Sequence, residues 1–244
     1  MCGRFVAASK PEEIAAYFGA EAPEVELPAN WNVAPTNDVY GVVEGPDGVL
    51  RVEVFHWGLV PSWAKDVKLG QRMINARADT LAMKNAYKSA FKKHRCIIPM
   101  DGFYEWKQLS GPDAPLTRSG KPAKQPVYAH RLDGEPLAVA GLWSPWRDPQ
   151  AGDDAPWLHS LTVVTTDANG TMAPIHDRMP VILPPSAWKE WLDRDNQDVA
   201  ALSGLLVPAP DDLLRLHAVS TDVNNVRNKG PQLVEPVEGV DLGA

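Results

Sequence analysis

Cysteine is almost missing from this sequence: Cys2 and Cys96 are the only two among 244 residues. They lie far apart, with no CxxC pair and no His/Cys cluster at zinc spacing, so neither a disulfide framework nor a structural zinc is expected. Long apolar runs are missing as well. No stretch reaches the about eighteen consecutive apolar residues that a membrane-crossing helix needs. The opening MCGRFVAASKPEE turns acidic before an apolar stretch develops, so no signal peptide is expected. No Ser/Gly-rich or charged linker divides the chain, and it has no internal repeat. The expectation is a soluble, cytoplasmic protein with one domain over 1–237 and a tail over 238–244.

A positive charge surplus is missing overall, since the formal net charge is −7. Taken alone, that argues against a polyanionic partner. The distribution is uneven, however. Residues 61–131 hold 14 Lys and Arg against 5 Asp and Glu, a local surplus of nine; the remainder holds 10 against 26. Such asymmetry suggests one basic face that meets nucleic acid while the rest of the surface repels it. A mixed-charge surface that looks segregated only along the sequence remains the alternative.

What is present is a set of short elements. Ser9-Lys10-Pro11-Glu12 predicts a helix start with a capping box and an early Pro, ahead of the apolar stripe Ile14, Tyr17 and Phe18. Asp38–Glu44 and Val49–Phe55 around Gly45-Pro46-Asp47-Gly48 predict a hairpin. Asn85 to His94 predicts a basic helix. Strands are expected at Cys96–Pro99, Gly102–Lys107, Val127–Leu132, Leu137–Leu142, Leu158–Thr165, Val181–Leu183 and Leu214–Val219. Helices are expected at Ser186–Leu192 and Asp198–Leu205. The stretches Leu109–Lys124 and Pro145–Pro156 are expected to be loops. Many short strands with scattered helices give an α+β fold with a largely antiparallel sheet or barrel flanked by helices.

Four places carry chemistry. If Met1 is removed, Cys2 becomes an N-terminus whose α-amine, of ordinary pKa about 7.7–8.0, lies beside its own thiol. That pair can form a Schiff base with an aldehyde and close it to a thiazolidine, which no internal Cys can do. Gly3 allows close backbone approach, and Arg4 supplies a cation for a phosphate or for the thiol. In Met73–Thr80, an extended strand puts Asn75, Arg77 and Asp79 on one face and Ile74, Ala76 and Ala78 on the other. In Gly102-Phe103-Tyr104-Glu105-Trp106-Lys107, Glu105 stands among three aromatics, and apolar surroundings raise a carboxylate pKa in the way a proton shuttle needs. Trp106, with Trp57 and Trp63 of HWGLVPSW, is a candidate base-stacking surface. In Ile175–Pro180, His176 sits at a turn and titrates near neutral pH.

The segments MCGRF, HWGLVPSWAK, MINARADT, IIPMDGFYEWK and IHDRMPVIL, with QLVEP near the end, resemble the SOS response-associated peptidase (SRAP) family from Cys2 to Pro236. The resemblance implies a single domain on a twisted antiparallel barrel with flanking helices. It implies autoproteolytic loss of Met1 and covalent capture of abasic sites in single-stranded DNA, which combines cysteine-peptidase with lyase-like chemistry. It further implies Cys2 as the crosslinking nucleophile, Asn75 as the residue orienting its amine, Glu105 as acid/base and His176 as the proton donor opening the sugar ring. Arg4, Arg77 and Arg178 would be phosphate clamps and Trp106 a wedge beside the lesion. No cofactor, metal or membrane is called for, and a monomer is expected. A general cysteine peptidase built on Cys2 and His176, and a non-covalent single-strand binding module, are the rival readings.

Overall fold

A computed structural model describes residues 2–109, 115–117, 119–120, 122–152, 154–240 and 242. The predicted loop 109–124 therefore lies partly outside the described residues, as does Met1. The hairpin prediction holds. Strand β3 (Asp38–Glu44) pairs antiparallel with β4 (Leu50–Trp57), from Asp38 opposite His56 to Glu44 opposite Leu50. Gly48, at φ 76°, takes the left-handed turn position, and Arg51 grips the turn through Asp47.

This hairpin is part of a closed ring. In the order β10–β4–β3–β6–β9 and back to β10, the ring adds β6 (Arg95–Met100), β9 (Leu137–Trp146) and β10 (Leu158–Asp167). The ring pairs are antiparallel except β10 with β4. β10 outlasts its ring partners, and beyond them its far end pairs in parallel with β5 (Asn75–Arg77) and antiparallel with β11 (Arg178–Pro180). A second sheet runs β12 (Leu214–Ala218), β8 (Lys124–Arg131), β7 (Gly102–Gln108), β1 (Phe5–Ala7) and β2 (Asn30–Val33). The expected α+β barrel with flanking helices is what the chain forms.

Side-chain alternation divides the interior in two. Val39, Val43, Phe55, Cys96, Ile98, Val139, Leu161 and Val163 point into the ring and share one apolar cluster with Cys2, Phe5 and Phe103. Their neighbours Val42, Val52, Ile97, Ala140, Leu142 and Val164 point outward, to be covered by helices α1 (Pro11–Phe18), α2 (Lys88–Lys93), α3 (Pro185–Leu192) and α4 (Val199–Gly204). The ring is tight at Gly141, where a Cβ would stand 2.7 Å from Cys96 Sγ.

Several expectations shift. The first helix is capped at Lys10, with Pro11 at its first position and Glu13 accepting from the Lys10 N–H at 3.3 Å. Ser9 does not cap it because Asp101, in the β6–β7 turn, takes the Ser9 N–H at 3.0 Å together with its hydroxyl. The basic helix begins only at Lys88, since residues 80–87 wind in three-residue turns such as Met83 N–H to Thr80 and Tyr87 N–H to Lys84. The strand expected at Val181–Leu183 lies earlier, at Arg178–Pro180. β9 runs on through Trp146, into the expected loop.

Candidate active site

Cys2 lies just ahead of β1 and is fully buried. Asn75, the first residue of β5, fixes it by donating from Nδ2 to the Cys2 carbonyl at 2.8 Å. Asn75 is itself pinned, because its backbone carbonyl accepts from the Tyr87 hydroxyl at 3.2 Å. Its side-chain Oδ1 is buried and, among the described residues, has no hydrogen-bond partner. An orphaned buried acceptor beside an N-terminal residue invites a donor. Burial pushes the Cys2 thiol well above the ordinary cysteine range, and the Glu105 carboxylate pushes it further; the Arg4 backbone N–H works in the opposite direction. The thiol is therefore neutral at physiological pH.

Glu105 is 4% exposed, and the pattern along β7 explains its position. Phe103, with its cross-strand partner Ala129, and Val127, opposite Glu105, belong to the cluster that contains Cys2. Tyr104, Tyr128 and Trp106 belong to a separate cluster on the other face of the sheet. Two of the three aromatics beside Glu105 in sequence therefore point away from it; Phe103 alone shares its side. That corrects the expected surroundings: Glu105 is enclosed by the apolar cluster around Cys2.

The reverse face holds Arg4 and Trp106. Arg4 Nη1 donates to Asn32 Oδ1 at 2.7 Å and to the Val223 carbonyl at 2.8 Å, and its guanidinium lies 5.7 Å from the Trp106 ring centre. Trp106 Nε1 donates to Asn224 Oδ1 at 2.7 Å. Asn32 in turn donates to the carbonyls of Val223, Asn225 and Asn228. In this arrangement Arg4 and Asn32 bind residues 223–228 against the back of the strands that hold Cys2 and Glu105. Asn32 gave no signal in sequence, since a lone Asn is ordinary in any loop.

The chain over residues 1–226 matches the family model described as SOS response associated peptidase (SRAP). It belongs to the SRAP family. It is similar to the abasic site processing protein YoqW of Bacillus subtilis, at 39% identity over 96% of this chain and 99% of that one. It is similar also to the abasic site processing protein YedK of Escherichia coli, at 32% identity over 97% and 100%. A solved structure from Bacteroides thetaiotaomicron shares the fold, with a TM-score of 0.81 at 24% identity over 97% of this chain and 100% of that one.

The remaining candidates of this SRAP chain surround β10. Arg77, at the end of β5, is exposed and forms a bidentate pair with Asp79, at 3.1 and 2.6 Å. β5 stops at Arg77, so Asp79 reaches it from the following turn and not from a shared strand face. Arg178 is turned inward: Nη2 donates to the Thr165 carbonyl at 2.6 Å and Nη1 reaches Asp167 Oδ1 at 3.4 Å, with the side chain only 8% exposed. His176 precedes β11, its Nδ1 between the Arg178 N–H at 3.0 Å and Asp177 Oδ1 at 2.8 Å. The stacking surface is not as expected. Trp57 is fully buried at the ring mouth, donating to the Ile74 carbonyl at 3.0 Å and packing 5.0 Å from Phe5, whereas Trp63 is exposed. Among the described residues no cluster of three or more His, Cys, Asp or Glu could hold a metal ion.

Proposed function

We propose that this chain loses Met1 and then captures the aldehyde of an abasic site in single-stranded DNA, through Cys2, as a thiazolidine. The observation that carries this reading is the grouping of the buried Cys2 with the half-buried Asn75, which holds its carbonyl, and the buried Glu105, whose carboxylate acts on its thiol. The abasic-site-processing names of its relatives support the substrate class.

The order of steps follows from electrostatics. A neutral thiol is a poor nucleophile, so the Cys2 amine attacks first, helped by Asn75 Oδ1 as acceptor and Glu105 as the base that takes its proton. Amine and aldehyde condense to an imine with loss of water. The S–H then adds across the C=N bond, forming the C–S bond and returning the proton to nitrogen. An abasic site is mostly a closed hemiacetal, so a general acid must open it first; His176 has that role. Removal of Met1 uses the thiol as nucleophile and Glu105 as base. A lesion without a base is cheap to unstack, which gives selectivity without base readout.

The test is intact mass followed by reaction with abasic single-stranded DNA. Wild type should lack Met1 and give a denaturation-resistant adduct. Cys2→Ala should bind the strand but form no heat-stable thiazolidine; a transient imine trapped by reduction would not contradict this, because alanine also has an amine. A salt-labile complex alone in wild type would overturn the reading in favour of a binding module. Cleavage of added peptides without any DNA adduct would point to a general peptidase.

A further inference from the structure

The residues after Pro236 are tied to the sheet that carries Glu105. Pro236 bridges to Val219, and the Val237 N–H donates to the Ala218 carbonyl, at the end of β12, at 2.9 Å. Gly239, at φ 78°, takes a left-handed turn position that redirects the chain. At the far end, the Leu242 carbonyl accepts a hydrogen bond from Lys107 Nζ on β7. Five extended residues reach about 17 Å, and the two strand spacings from β12 past β8 to β7 take only about 10 Å. The segment thus straps the outer strand β12 to β7.

Two observations put its far end on the face that bears Glu105. Side chains alternate along β7, and Tyr104 and Trp106 belong to the cluster on the reverse face, so Lys107 shares the face of Phe103 and Glu105. Its backbone lies about 7 Å along the strand from that of Glu105. Leu242 is half-buried and packs against the same apolar cluster that contains Cys2 and Phe103. The stretch 235–244 also carries Glu235, Glu238 and Asp241 and no Lys or Arg. An acidic piece of this chain therefore holds a cation beside the acid/base of the candidate site.

We propose that this segment is a built-in competitor of the DNA strand: it occupies Lys107 in the free protein, and the strand displaces it and places a phosphate on the Lys107 ammonium. This rests on the reading of Cys2 as the residue that captures an abasic site. A strand that sets its lesion against Cys2 and Glu105 carries its flanking phosphates past Lys107, so strap and strand need the same donor. Opening the strap costs the half-buried contacts of Leu242 and exchanges a carbonyl for a phosphate, the stronger, charge-assisted partner. A polyanion can make that exchange and a neutral ligand cannot. The carboxylates of the segment add like-charge repulsion to the competition.

The experiment titrates an undamaged single-stranded oligonucleotide, whose binding needs no Cys2 chemistry, into the full chain, a chain stopped after Pro236, and Leu242→Ser. Both variants should bind about 3- to 10-fold more tightly, the effect of removing a competitor held by one half-buried leucine and one hydrogen bond. Leu242→Ser keeps every carboxylate, so its gain separates release of the contact from removal of repelling charge. In the shortened chain, Lys107→Ala should weaken binding and flatten its salt dependence by about 0.7 in log–log slope, one phosphate contact. With an abasic oligonucleotide, adduct formation should quicken by the same factor at low DNA and stay unchanged at saturation. A gain confined to the shortened chain, with Leu242→Ser like wild type, would overturn the strap and leave the capture chemistry standing. An unchanged slope for Lys107→Ala would overturn its phosphate contact and the competition with it. Tighter strand binding by both variants, with no adduct formed by any of the proteins, would instead overturn the reading of Cys2.

Discussion

At Cys2 two needs oppose each other. Covalent chemistry calls for a reactive sulfur, yet the sulfur is buried with a carboxylate beside it, both of which keep it protonated. Cys2 is in this like the core cysteine Cys96, whose thiol burial also pushes up, and a buried, protonated thiol reacts slowly with alkylating agents. Each unit by which a pKa is raised removes about tenfold of the thiolate at neutral pH. Iodoacetamide should therefore alkylate both cysteines far more slowly in the folded chain than after unfolding. Glu105→Gln should speed the reaction at Cys2 and not at Cys96, while leaving most of the protection, because burial is the larger cause. Equal rates at Cys2 in wild type and Glu105→Gln would show that the carboxylate does not act on the sulfur. The same shifts have a sign in stability. Folded-state thiol pKa values above the unfolded ones leave stability intact below the unfolded pKa and reduce it as pH rises beyond it. Glu105→Gln should also impair both Met1 removal and adduct formation, since an amide cannot accept the proton.

The elements that hold the site depend on a few buried polar contacts. Arg95, at the start of β6, is 3% exposed, and among the described residues Asp193 and Glu44 act on it electrostatically without coming into ion-pair contact. Its guanidinium donates instead to the carbonyls of Phe91 and Lys92 at the end of α2 and of Trp191, Asp193 and Asn196 at and beyond the end of α3. One cation thus fills the orphan carbonyls where two helices end, where the macrodipole also favours positive charge. Arg95→Met should cost about 3 kcal/mol or more, because it leaves several buried acceptors without donors. Urea unfolding would measure it, and a loss under about 0.5 kcal/mol, the size of an ordinary surface change, would refute this account. Arg95 was not legible in sequence, being one of 14 Lys and Arg in a block that suggested a polyanion-binding face. What was legible had local causes: the β3–β4 turn, and the short apolar stretches that placed β6, β7 and β10. β1 and β2 were missed because three or four residues carry too little pattern, and they exist through pairing with strands far along the chain. Cys2, Asn75 and Glu105 were legible as chemistry, but their meeting was not. Trp57 was misread because its burial depends on packing against Phe5 and on the Ile74 carbonyl, contacts that HWGLVPSW by itself does not show.

Over the whole molecule, the two basic segments lie on either side of β5 in the sequence. Lys65, Lys68 and Arg72 precede it and Lys84, Lys88, Lys92 and Lys93 follow it, all exposed, while β5 itself carries Asn75 and Arg77. Exposed cations thus flank in sequence the strand that fixes Cys2, which is the charge a polyanion would meet there if the chain folds them onto one face. The arginines expected as phosphate clamps then separate by burial. Arg77 is exposed, and its pairing with Asp79 is one that solvent screens and a phosphate can displace. Arg178 is enclosed, with its donors committed to Thr165 and Asp167. Arg77→Ala should therefore leave folding nearly unchanged and flatten the salt dependence of single-strand binding by about 0.7 in log–log slope for one lost phosphate contact. Arg178→Ala should first lower stability, by about 1–3 kcal/mol for a buried acceptor left unpaired, and change the slope less. Binding titrations across salt, paired with thermal unfolding of each variant, separate the two. If Arg178→Ala flattened the slope as much as Arg77→Ala with no loss of stability, Arg178 would have to leave Thr165 to reach the phosphates, and its inward hydrogen bonds would describe only the DNA-free state.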